Sequence, residues 1–291
     1  MGFGVVAERK NSFLRLALEG LSGTGKTYSA LLMMAELGCK KIGLLDSEFR
    51  SALKHAGAKG IPRFLHDSME DHTVQAYLQK MASAAADNVD GFIIDSWSHS
   101  WTAALATVDQ MGGNKFTNGW KVVSPLVKQL TDSMLRYPGH VIATLRLEDE
   151  YVPEKDDKTG KVIPRKIGLK PVARKGLDYE FDFVLDLGGD GNVTVSKTRW
   201  GERLPLGSVF PRAELGKVAR DLRAWLSEGA PQSSFDSLSD RLRFAINEAA
   251  LAQVAADVAP LVKDGSLTTA QRDALLTLYT ARKAEFQGVV L

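Results

Sequence analysis

The residues best suited to chemistry lie in a glycine-rich stretch near the start of the chain. Gly20, Gly25, Lys26 and Thr27 match the spacing G-x-x-x-x-G-K-[ST]. Glycines let backbone N–H groups turn inward around phosphate oxygens, and the N-terminus of a following helix adds positive charge. The lysine can reach the terminal phosphates, and the threonine hydroxyl can hold Mg²⁺. We therefore expect this stretch to bind ATP and Mg²⁺ through Gly20, Ser22, Gly23, Thr24, Gly25, Lys26, Thr27 and Tyr28.

A carboxylate is needed to complete the magnesium shell, and the apolar run Gly91–Asp95 ends in one. An aspartate at the end of such a strand is the usual partner of the loop threonine, so we assign Thr27 and Asp95 to the metal. The alternative for Asp95 is to cap the following helix. Ser96 follows where many ring-forming ATPases carry a catalytic glutamate, so the general base is expected elsewhere.

Another strand end supplies the candidate general base. The run from residue 42 to Asp46 is apolar, and Glu48 lies just beyond it. Phosphates bind at the carboxyl edge of a parallel sheet, where a carboxylate close to the terminal phosphate can activate water. Asp46 is an alternative water-orienting group, and either residue could instead be a solvated loop carboxylate.

These residues must be positioned by an alternation of short apolar runs and helical stretches up to about residue 228, which predicts an α/β fold with a mostly parallel sheet. The predicted strands are 13–19, 41–46, 91–95 and 140–145. The predicted helices are 25–37, 72–86 and about 121–136. Two alternating runs, 181–187 and 192–198, are joined by glycines in a pattern typical of a hairpin. The sheet is therefore expected to end in antiparallel edge strands.

A change of composition near residue 229 predicts the domain organisation. The stretch 229–234 is rich in Gly, Pro and Ser, and helix-forming residues follow it. We expect three parts, a core over 1–228, a linker over 229–235 and a small helical extension over 236–291. The extension is predicted to form two helices, at about 236–258 and 268–286. A capping box from Thr268 to Gln271 would open the second helix.

Composition and charge exclude several classes of protein. Lys and Arg number 37 against 35 Asp and Glu, so the net charge of +2 does not by itself indicate a nucleic-acid partner. The single cysteine, Cys39, cannot form an internal disulfide, which fits a reducing compartment. The first residues lack an apolar signal region, and no run approaches the roughly 18 apolar residues of a membrane span. We expect a cytoplasmic protein without a membrane partner.

The order of these motifs resembles the RecA-like branch of P-loop ATPases. The glycine-rich stretch, the strand end Asp46-Ser47-Glu48 and the sequence Ile94-Asp95-Ser96 occur there in this order. In that branch the glutamate at the place of Glu48 activates water, and the strand after the metal-binding aspartate ends in a polar residue that senses the γ-phosphate. The resemblance implies that Arg146 is this sensor, with Thr144 as the alternative.

A late strand end also resembles this branch. The sequence Ser196-Lys197-Thr198-Arg199 is similar to the Lys-x-Arg element with which RecA-like recombinases reach the nucleotide of a neighbouring subunit. The resemblance implies that Lys197 and Arg199 act in trans as fingers on the transferred phosphoryl group. Two exposed strand charges are the alternative. Fingers in trans require a homo-oligomer with shared ATP sites, and the expected catalytic residues are Lys26, Glu48, Asp95, Arg146, Lys197 and Arg199.

A closer resemblance covers about residues 12 to 228. The blocks GTGKTYSALL, IIDSWSHSW, HVIATLRLEDEYV and GLKPVARKGLDYEFDFVLDL followed by VSKTR are similar to bacteriophage ATP-binding proteins related to the Sak-type single-strand annealing ATPases. This resemblance implies ATP binding, RecA-like assembly and a role in phage DNA recombination or replication. We expect an ATPase that forms a ring or filament and has two kinds of partner, single-stranded DNA and a single-strand-binding or other recombination protein.

Local charge agrees with a nucleic-acid partner. Residues 151–176 contain eight Lys or Arg and three Asp or Glu, a net charge of +5. Such a segment would neutralise phosphates with little base preference, and a solvated hairpin is the alternative. The candidate DNA-binding residues are Lys161, Arg165, Lys166, Lys170, Arg174 and Lys175. The loop 111–120, with Phe116 and Trp120, could stack bases or anchor itself to the core.

Two other functions fit the same glycine-rich stretch. A small-molecule kinase shares it, and the basic segment would then be a lid, although Glu48 is better suited to activating water. A nucleotide switch that recruits a replication protein through the helical extension would bind ATP without turnover. Assays with nucleoside monophosphates and measurements of turnover distinguish these functions.

Overall fold

Nine strands form one sheet within the residues described by the computed structural model, which are 6–111, 118–155, 162–245 and 248–287. The strands are β1 (Arg15–Gly20), β2 (Ile42–Asp46), β3 (Leu65–Ser68), β4 (Gly91–Asp95), β5 (His140–Lys155), β6 (Val162–Pro171), β7 (Phe183–Leu187), β8 (Asn192–Lys197) and β9 (Val209–Pro211). The helices are α1 (Lys26–Glu36), α2 (Val74–Ala86), α3 (Trp97–Gln110), α4 (Gly119–Arg136), α5 (Leu215–Leu226), α6 (Ser234–Phe244), α7 (Glu248–Ala256), α8 (Val258–Lys263) and α9 (Thr269–Phe286). Short 3-10 helices cover Ser51–His55, Leu177–Glu180 and Arg212–Glu214.

The strands follow the order β3-β2-β4-β5-β1-β7-β8-β9, and β6 pairs with the outer part of β5. Neighbours from β3 to β7 run parallel, while β6, β8 and β9 pair antiparallel. The predicted α/β fold class, mostly parallel with antiparallel edge strands, is confirmed. Parallel pairing brings strand ends to one edge, where Asp46 lies opposite Asp95 and Gly20 lies opposite Arg146.

The sequence predicted the buried strands and three of the helices beside them, α1, α2 and α4, whereas α3 and α5 were not predicted. The four predicted strands, the three predicted helices and the hairpin of β7 and β8 all form. However, β5 runs ten residues further than predicted, to Lys155, where it pairs with β6. Strand β3 was not predicted, because its residues Leu65–Ser68 are half-exposed and contain one apolar side chain. Apolar periodicity identifies buried elements and misses such edge strands.

Helices cover both faces of the sheet. Because side chains alternate along a strand, Leu16 and Leu18 of β1 pack in the cluster of α1 and α5, while Ala17 packs in the cluster of α2, α3 and α4. All three side chains are fully buried. Strands covered on both faces read as continuous apolar runs, which is why these strands could be predicted.

The helical extension has an apolar cluster of its own, which includes Leu238, Leu251 and Leu275. The single helix predicted over 236–258 is wrong, since the described residues there form α6, α7 and α8. The first of these ends at Phe244, whose ring meets the core side chain Tyr137 edge-on at 5.6 Å. Ala245 then leaves the helical conformation.

The capping box predicted at the start of the last helix is confirmed. Gln271 N donates to Thr268 Oγ1 at 3.2 Å, and Thr268 N donates to Gln271 Oε1 at 2.9 Å. The boundaries of core, linker and extension remain a prediction. Among the described residues, none of the helices combines the length and the apolar character needed to cross a lipid bilayer.

Candidate functional site

The phosphate loop, Gly20–Thr27, joins β1 to α1 as the sequence predicted. A Cβ on Gly20 would lie 2.5 Å from Thr24 Oγ1 and 2.9 Å from Leu187 O. Gly25 has a φ of 87°, and a Cβ there would lie 2.9 Å from Arg212 Nη1. Both places therefore require glycine. The loop leads into the N-terminus of α1, where backbone N–H groups stabilise an anion.

Lys26 begins α1 and is buried, with 8% of its surface exposed. Its Nζ donates to Gly20 O and to Leu21 O, each at 2.8 Å. Burial lowers the pKa of this amine, and the nearby carboxylates of Glu48 and Asp95 oppose the shift. A bound polyphosphate would supply the negative counter-charge that stabilises this buried ammonium group, so the loop suits an anionic ligand.

The other predicted loop residues differ in their surroundings. Ser22 and Gly23 are exposed, whereas Thr24 is buried and donates its hydroxyl to Leu21 O at 3.0 Å. The Tyr28 hydroxyl donates to Lys59 O at 3.2 Å, which holds the side chain against the segment after β2. The side chains of Thr24 and Tyr28 therefore stabilise the loop.

Asp95 ends β4 and is 1% exposed. Thr27 Oγ1 donates to its Oδ2 and Thr144 Oγ1 donates to its Oδ1, both at 2.6 Å. Burial raises the pKa of Asp95, and these two hydrogen bonds oppose the rise. An aspartate and a threonine oxygen beside a phosphate loop suit Mg²⁺, whose charge would offset the cost of burying the carboxylate. Thr27 and Asp95 therefore fit the ion, and Thr144 orients Asp95.

Glu48 and Arg146, the candidate base and the candidate sensor, lie side by side. Arg146 Nε donates to Glu48 Oε1 at 2.9 Å, and both side chains are partly exposed. Arg146 lies beside Gly20 in the register of β5 and β1, so the pair stands at the mouth of the phosphate loop. Ser98 Oγ accepts a hydrogen bond from Arg146 N at 2.9 Å and fixes the strand end. The pair therefore places a carboxylate and a guanidinium group where a terminal phosphate would lie.

Asp46, the alternative water-orienting residue, is fully buried. Its carboxylate accepts hydrogen bonds from Glu48 N at 2.7 Å and Ala52 N at 3.1 Å, and it lies 3.0 Å from His66 Nε2. These partners occupy both carboxylate oxygens. Asp46 therefore stabilises the turn that carries Glu48, and the geometry favours Glu48 as the residue facing a water molecule.

A histidine pair behind this turn was not predicted to take part in the site. Ser47 Oγ and His99 Nδ1 lie 2.6 Å apart, and the His99 ring stacks on His72 with centroids 4.9 Å apart. Burial, and then the charge of Arg146, lowers the pKa of His99 to about 4, so the ring is neutral near pH 7. The hydrogen bond between His99 and Ser47 stabilises the residue that precedes Glu48. In the sequence, the position of Ser47 within the strand end was the only indication of this contact.

Arg212 is a further loop contact that sequence reasoning missed. Its guanidinium donates to Thr24 O and packs against Gly25. Its backbone N–H donates to Gly191 O at 2.8 Å, which ties it to the turn between β7 and β8. The contact joins residues 188 positions apart in the chain, so no local pattern could indicate it.

Lys197 and Arg199, the predicted fingers, lie far from the phosphate loop of their own chain. Antiparallel pairing sets Lys197 opposite Val184, near the amino end of β7, whereas the loop follows the carboxyl end of β1. Lys197 Nζ donates to the carbonyls of Asp178 and Tyr179, and Arg199 Nε lies 3.3 Å from Asp182 Oδ1. A role at a nucleotide would therefore have to be at another subunit's site.

The basic segment is less positive than its sequence window indicates. We define the arm as residues 147–155 of β5 together with β6. Three predicted DNA-binding residues of the arm have carboxylate partners across it, in the pairs Arg165–Glu154 at 2.9 Å, Lys166–Asp149 at 2.5 Å and Lys170–Glu148 at 3.6 Å. From 147 to 171 the chain has six Lys or Arg and six Asp or Glu, so this part is neutral. Lys161 lies outside the described residues.

Arg174 and Lys175, the remaining predicted DNA-binding residues, follow the arm and are exposed. Neither side chain forms an ion pair or hydrogen bond with any of the described residues. The predicted stacking loop 111–120 lies largely outside the described residues. Trp120, at the start of α4, packs on Trp101 with ring centroids 5.7 Å apart, so it anchors α4 to α3.

A strand, a phosphate loop and a helix, with an aspartate on a nearby parallel strand, define a P-loop nucleotide-binding protein. The chain belongs to the AAA domain family, whose pattern matches residues 12–204. Among curated proteins no sequence matches it. The arrangement of Thr27, Asp95, Glu48 and Arg146 is thus part of an AAA-type domain.

Two solved structures are similar to the chain. The crystal structure of the RadB recombinase has a TM-score of 0.40 at 14% identity, and the match covers 67% of this chain and 84% of that one. An ATPase from the type III secretion system of pathogenic bacteria has a TM-score of 0.38 at 15% identity, covering 93% of this chain and 75% of that one.

Proposed function

We propose that the chain is a Mg²⁺-dependent ATPase that assembles in RecA-like fashion and binds and anneals single-stranded DNA in phage recombination or replication. The observation that carries the proposal is the 2.9 Å contact between Glu48 and Arg146 at the mouth of the phosphate loop. A general base and a cation at this place suit attack of water on a terminal phosphate.

Each residue of the site has a distinct part in the proposed reaction. Lys26 and the loop N–H groups bind the phosphates, while Thr27 and Asp95 would hold Mg²⁺. When bound, the ion supplies positive charge that stabilises the phosphate oxygens. Glu48 accepts a proton from the attacking water. Arg146 orients Glu48 through its hydrogen bond and offers positive charge to the transferred phosphoryl group.

Replacing Glu48 tests the proposed hydrolysis directly. In Glu48→Gln the side chain keeps its size and can still accept from Arg146, but it loses the basic carboxylate. We expect phosphate release to fall at least about a hundredfold, with Mg-ATP affinity kept, because a positioned base contributes about 10² to 10⁴. The control is Glu36→Gln on α1, which removes the carboxylate that pairs with Arg220 on α5.

The two variants give opposite expectations. Glu36→Gln should hydrolyse ATP at the wild-type rate, because its carboxylate contacts α5. Undiminished phosphate release in Glu48→Gln would refute the assignment of the base. ATP binding without turnover in the wild type would favour a nucleotide switch over an ATPase.

Assembly is proposed from the position of Lys197 and Arg199 at the sheet edge opposite the phosphate loop. Mixing tests it, since a Lys26→Ala subunit lacks only its own phosphate-loop lysine and an Arg199→Ala subunit lacks only the finger for its neighbour. We expect mixtures of the two inactive variants to regain part of the ATPase activity. Absence of recovery at every mixing ratio would count against shared sites. Mass in solution with and without nucleotide gives an independent measure of assembly.

A further inference from the structure

A cavity of about 330 Å³ lies between α3, α4 and the segment 172–180 that joins β6 to β7. Trp97 and Trp101 line it from one face of α3, since residues four positions apart on a helix are neighbours. Val127, Leu130 and Leu177 add apolar surface. The volume is within the range of small-ligand sites, about 300–1,000 Å³. None of the roles described for the phosphate loop uses this cavity.

The polar lining of the cavity can satisfy a ligand that has hydrogen-bonding edges. The Ser100 hydroxyl donates to Trp97 O at 2.7 Å, and the Thr131 hydroxyl donates to Val127 O at 3.1 Å. Each oxygen keeps a lone pair that can accept a further hydrogen bond. A flat ring with amino or imino groups therefore fits the lining better than a purely apolar side chain.

Positive charge lies at the border of the cavity. Arg174 and Lys175 line it, and neither is paired with a carboxylate in the part of the chain that the structure describes. Of the two carboxylates in the lining, Asp132 pairs with Lys128 at 2.6 Å, which leaves Glu180. An anionic ligand would therefore find two uncommitted cations.

The arm makes a useful contrast with this border. Its cations Arg165 and Lys166 already contact Glu154 and Asp149, so a phosphate would have to displace a carboxylate there. At the cavity no such exchange is needed at Arg174 or Lys175. Among the described candidates for DNA binding, free charge and aromatic surface occur together here.

We infer that this cavity accepts an unstacked base of single-stranded DNA, with Arg174 and Lys175 bound to the phosphates beside that base. The inference rests on the DNA binding in the proposed function and assigns its site. Base-on-aromatic stacking and phosphate neutralisation are the two contributions that bind single strands with little sequence preference. The cavity supplies the first through Trp101, which is partly exposed, and the second through its border.

The charge contribution is tested with two double variants that change the net charge equally. Arg174→Ala/Lys175→Ala removes the border cations, and Arg165→Ala/Lys166→Ala removes two paired cations of the arm. Affinity for a fluorescein-labelled oligo-dT is measured by anisotropy over a range of salt concentrations with a nonhydrolysable ATP analogue. We expect the border variant to lose at least about tenfold in affinity and to reduce the salt slope by about 1.4, as for two phosphate contacts. The arm variant should lose less than about threefold.

The base contribution is tested with oligo-dT against an oligonucleotide of the same length that has abasic sites. Wild type should prefer oligo-dT by about five- to a hundredfold, because each stacked base contributes at this level. Trp101→Ala should abolish the preference. Trp101→Phe, which keeps an aromatic ring and most of the packing, should retain it and so controls for misfolding. Equal binding of both oligonucleotides by the wild type would overturn the inference.

Other outcomes are also decisive. If the wild type binds oligo-dT and both double variants bind it equally well, the cavity is not the site, while DNA binding in the proposed function stands. If the wild type binds no oligonucleotide at all, both fall. If the border variant changes only the mass of the assembled protein, the cavity is a subunit contact and the inference is wrong.

Discussion

The two halves of β5 differ in what surrounds them. From His140 to Leu145 the strand lies between β1 and β4 and is almost entirely buried, whereas beyond Arg146 it pairs only with β6 and is largely exposed. Thr144 in the inner half has one fixed partner, the carboxylate of Asp95. The charges of the outer half form exposed pairs, which are weak and screened by salt.

One strand can therefore combine a rigid half with an adaptable half. A magnesium and phosphate site needs groups held to a fraction of an ångström, which burial and fully used hydrogen bonds provide. The exposed ion pairs of the outer half, by contrast, can exchange partners at little cost. The predictions that follow test this contrast, starting with the buried half and its neighbours.

Removing the phosphate-loop lysine should have the largest effect. Lys26→Ala takes away the cation whose Nζ is buried against Gly20 O and Leu21 O. We expect ATP turnover to fall about a hundred- to a thousandfold, as when a preorganised electrostatic group is removed. Far-UV circular dichroism should be unchanged. Turnover within threefold of the wild type would contradict the assignment of phosphate binding to this buried edge of the sheet.

Glu19, the β1 neighbour of Leu145, should make stability depend on pH. Burial, and then the charge of Asp186, raises the pKa of Glu19 to about 8, against an ordinary value of 4.5. Because the folded chain keeps this proton up to about pH 8 while the unfolded chain loses it near pH 4.5, the free energy of unfolding falls as pH rises between these values. The full change is on the order of 5 kcal/mol.

The variant Glu19→Gln isolates this contribution. It should be less sensitive to pH than the wild type in urea unfolding at pH 5, 6.5 and 8, because glutamine has no proton to lose. The difference between the two curves should level off above about pH 8, where both states of the wild type are ionised. Parallel curves for wild type and variant would show that Glu19 is ionised in the folded chain.

A matched pair of hydroxyl deletions compares the two halves of β5 directly. Thr144→Val keeps the shape of a fully buried side chain but leaves Asp95 Oδ1 without its donor, which should cost about 1–3 kcal/mol of unfolding free energy. Tyr151→Phe removes an exposed hydroxyl 3.3 Å from Asp149 Oδ2 and should change it by less than about 0.5 kcal/mol. Equal costs in denaturant unfolding would contradict the contrast.

The smallest effect is expected for an ion pair of the arm. A double-mutant cycle on Arg165 and Glu154, whose side chains are 65% and 47% exposed, should give a coupling energy below about 1 kcal/mol. The coupling should disappear in about 1 M salt, where the Debye length is about 3 Å. A coupling of several kcal/mol that persists in salt would mean that the arm is a rigid element and not an adaptable one.

The sequence was informative where structure follows from local patterns. The phosphate loop, the strands ending at Asp46 and Asp95, and the approach of these ends to one sheet edge could all be predicted, because parallel strands share a carboxyl edge. The placement of Glu48 just beyond one strand and of Arg146 at the end of another was expected. Their direct hydrogen bond was not, since it joins residues 98 positions apart.

Other features depend on pairings that a linear sequence does not display. The window 151–176 has a charge of +5 and leaves out Glu148 and Asp149, which meet Lys170 and Lys166 only once β5 and β6 pair. Arg212 reaches the phosphate loop from the far end of the sheet. A count along the sequence gives the net charge of a continuous segment. A ligand instead contacts a surface, whose charge includes residues brought together from different segments.

The uninterrupted course of β5 has a mechanical consequence. The same strand contacts Asp95 through Thr144 and then continues to Lys155, with a single irregularity in pairing after Glu150. At about 3.3 Å per residue, its last nine residues project roughly 30 Å, so a tilt of about five degrees at Arg146 would move the far end by about 3 Å. A lever of this kind would amplify a small rearrangement around a bound nucleotide into a displacement of several ångströms at the far end of the arm.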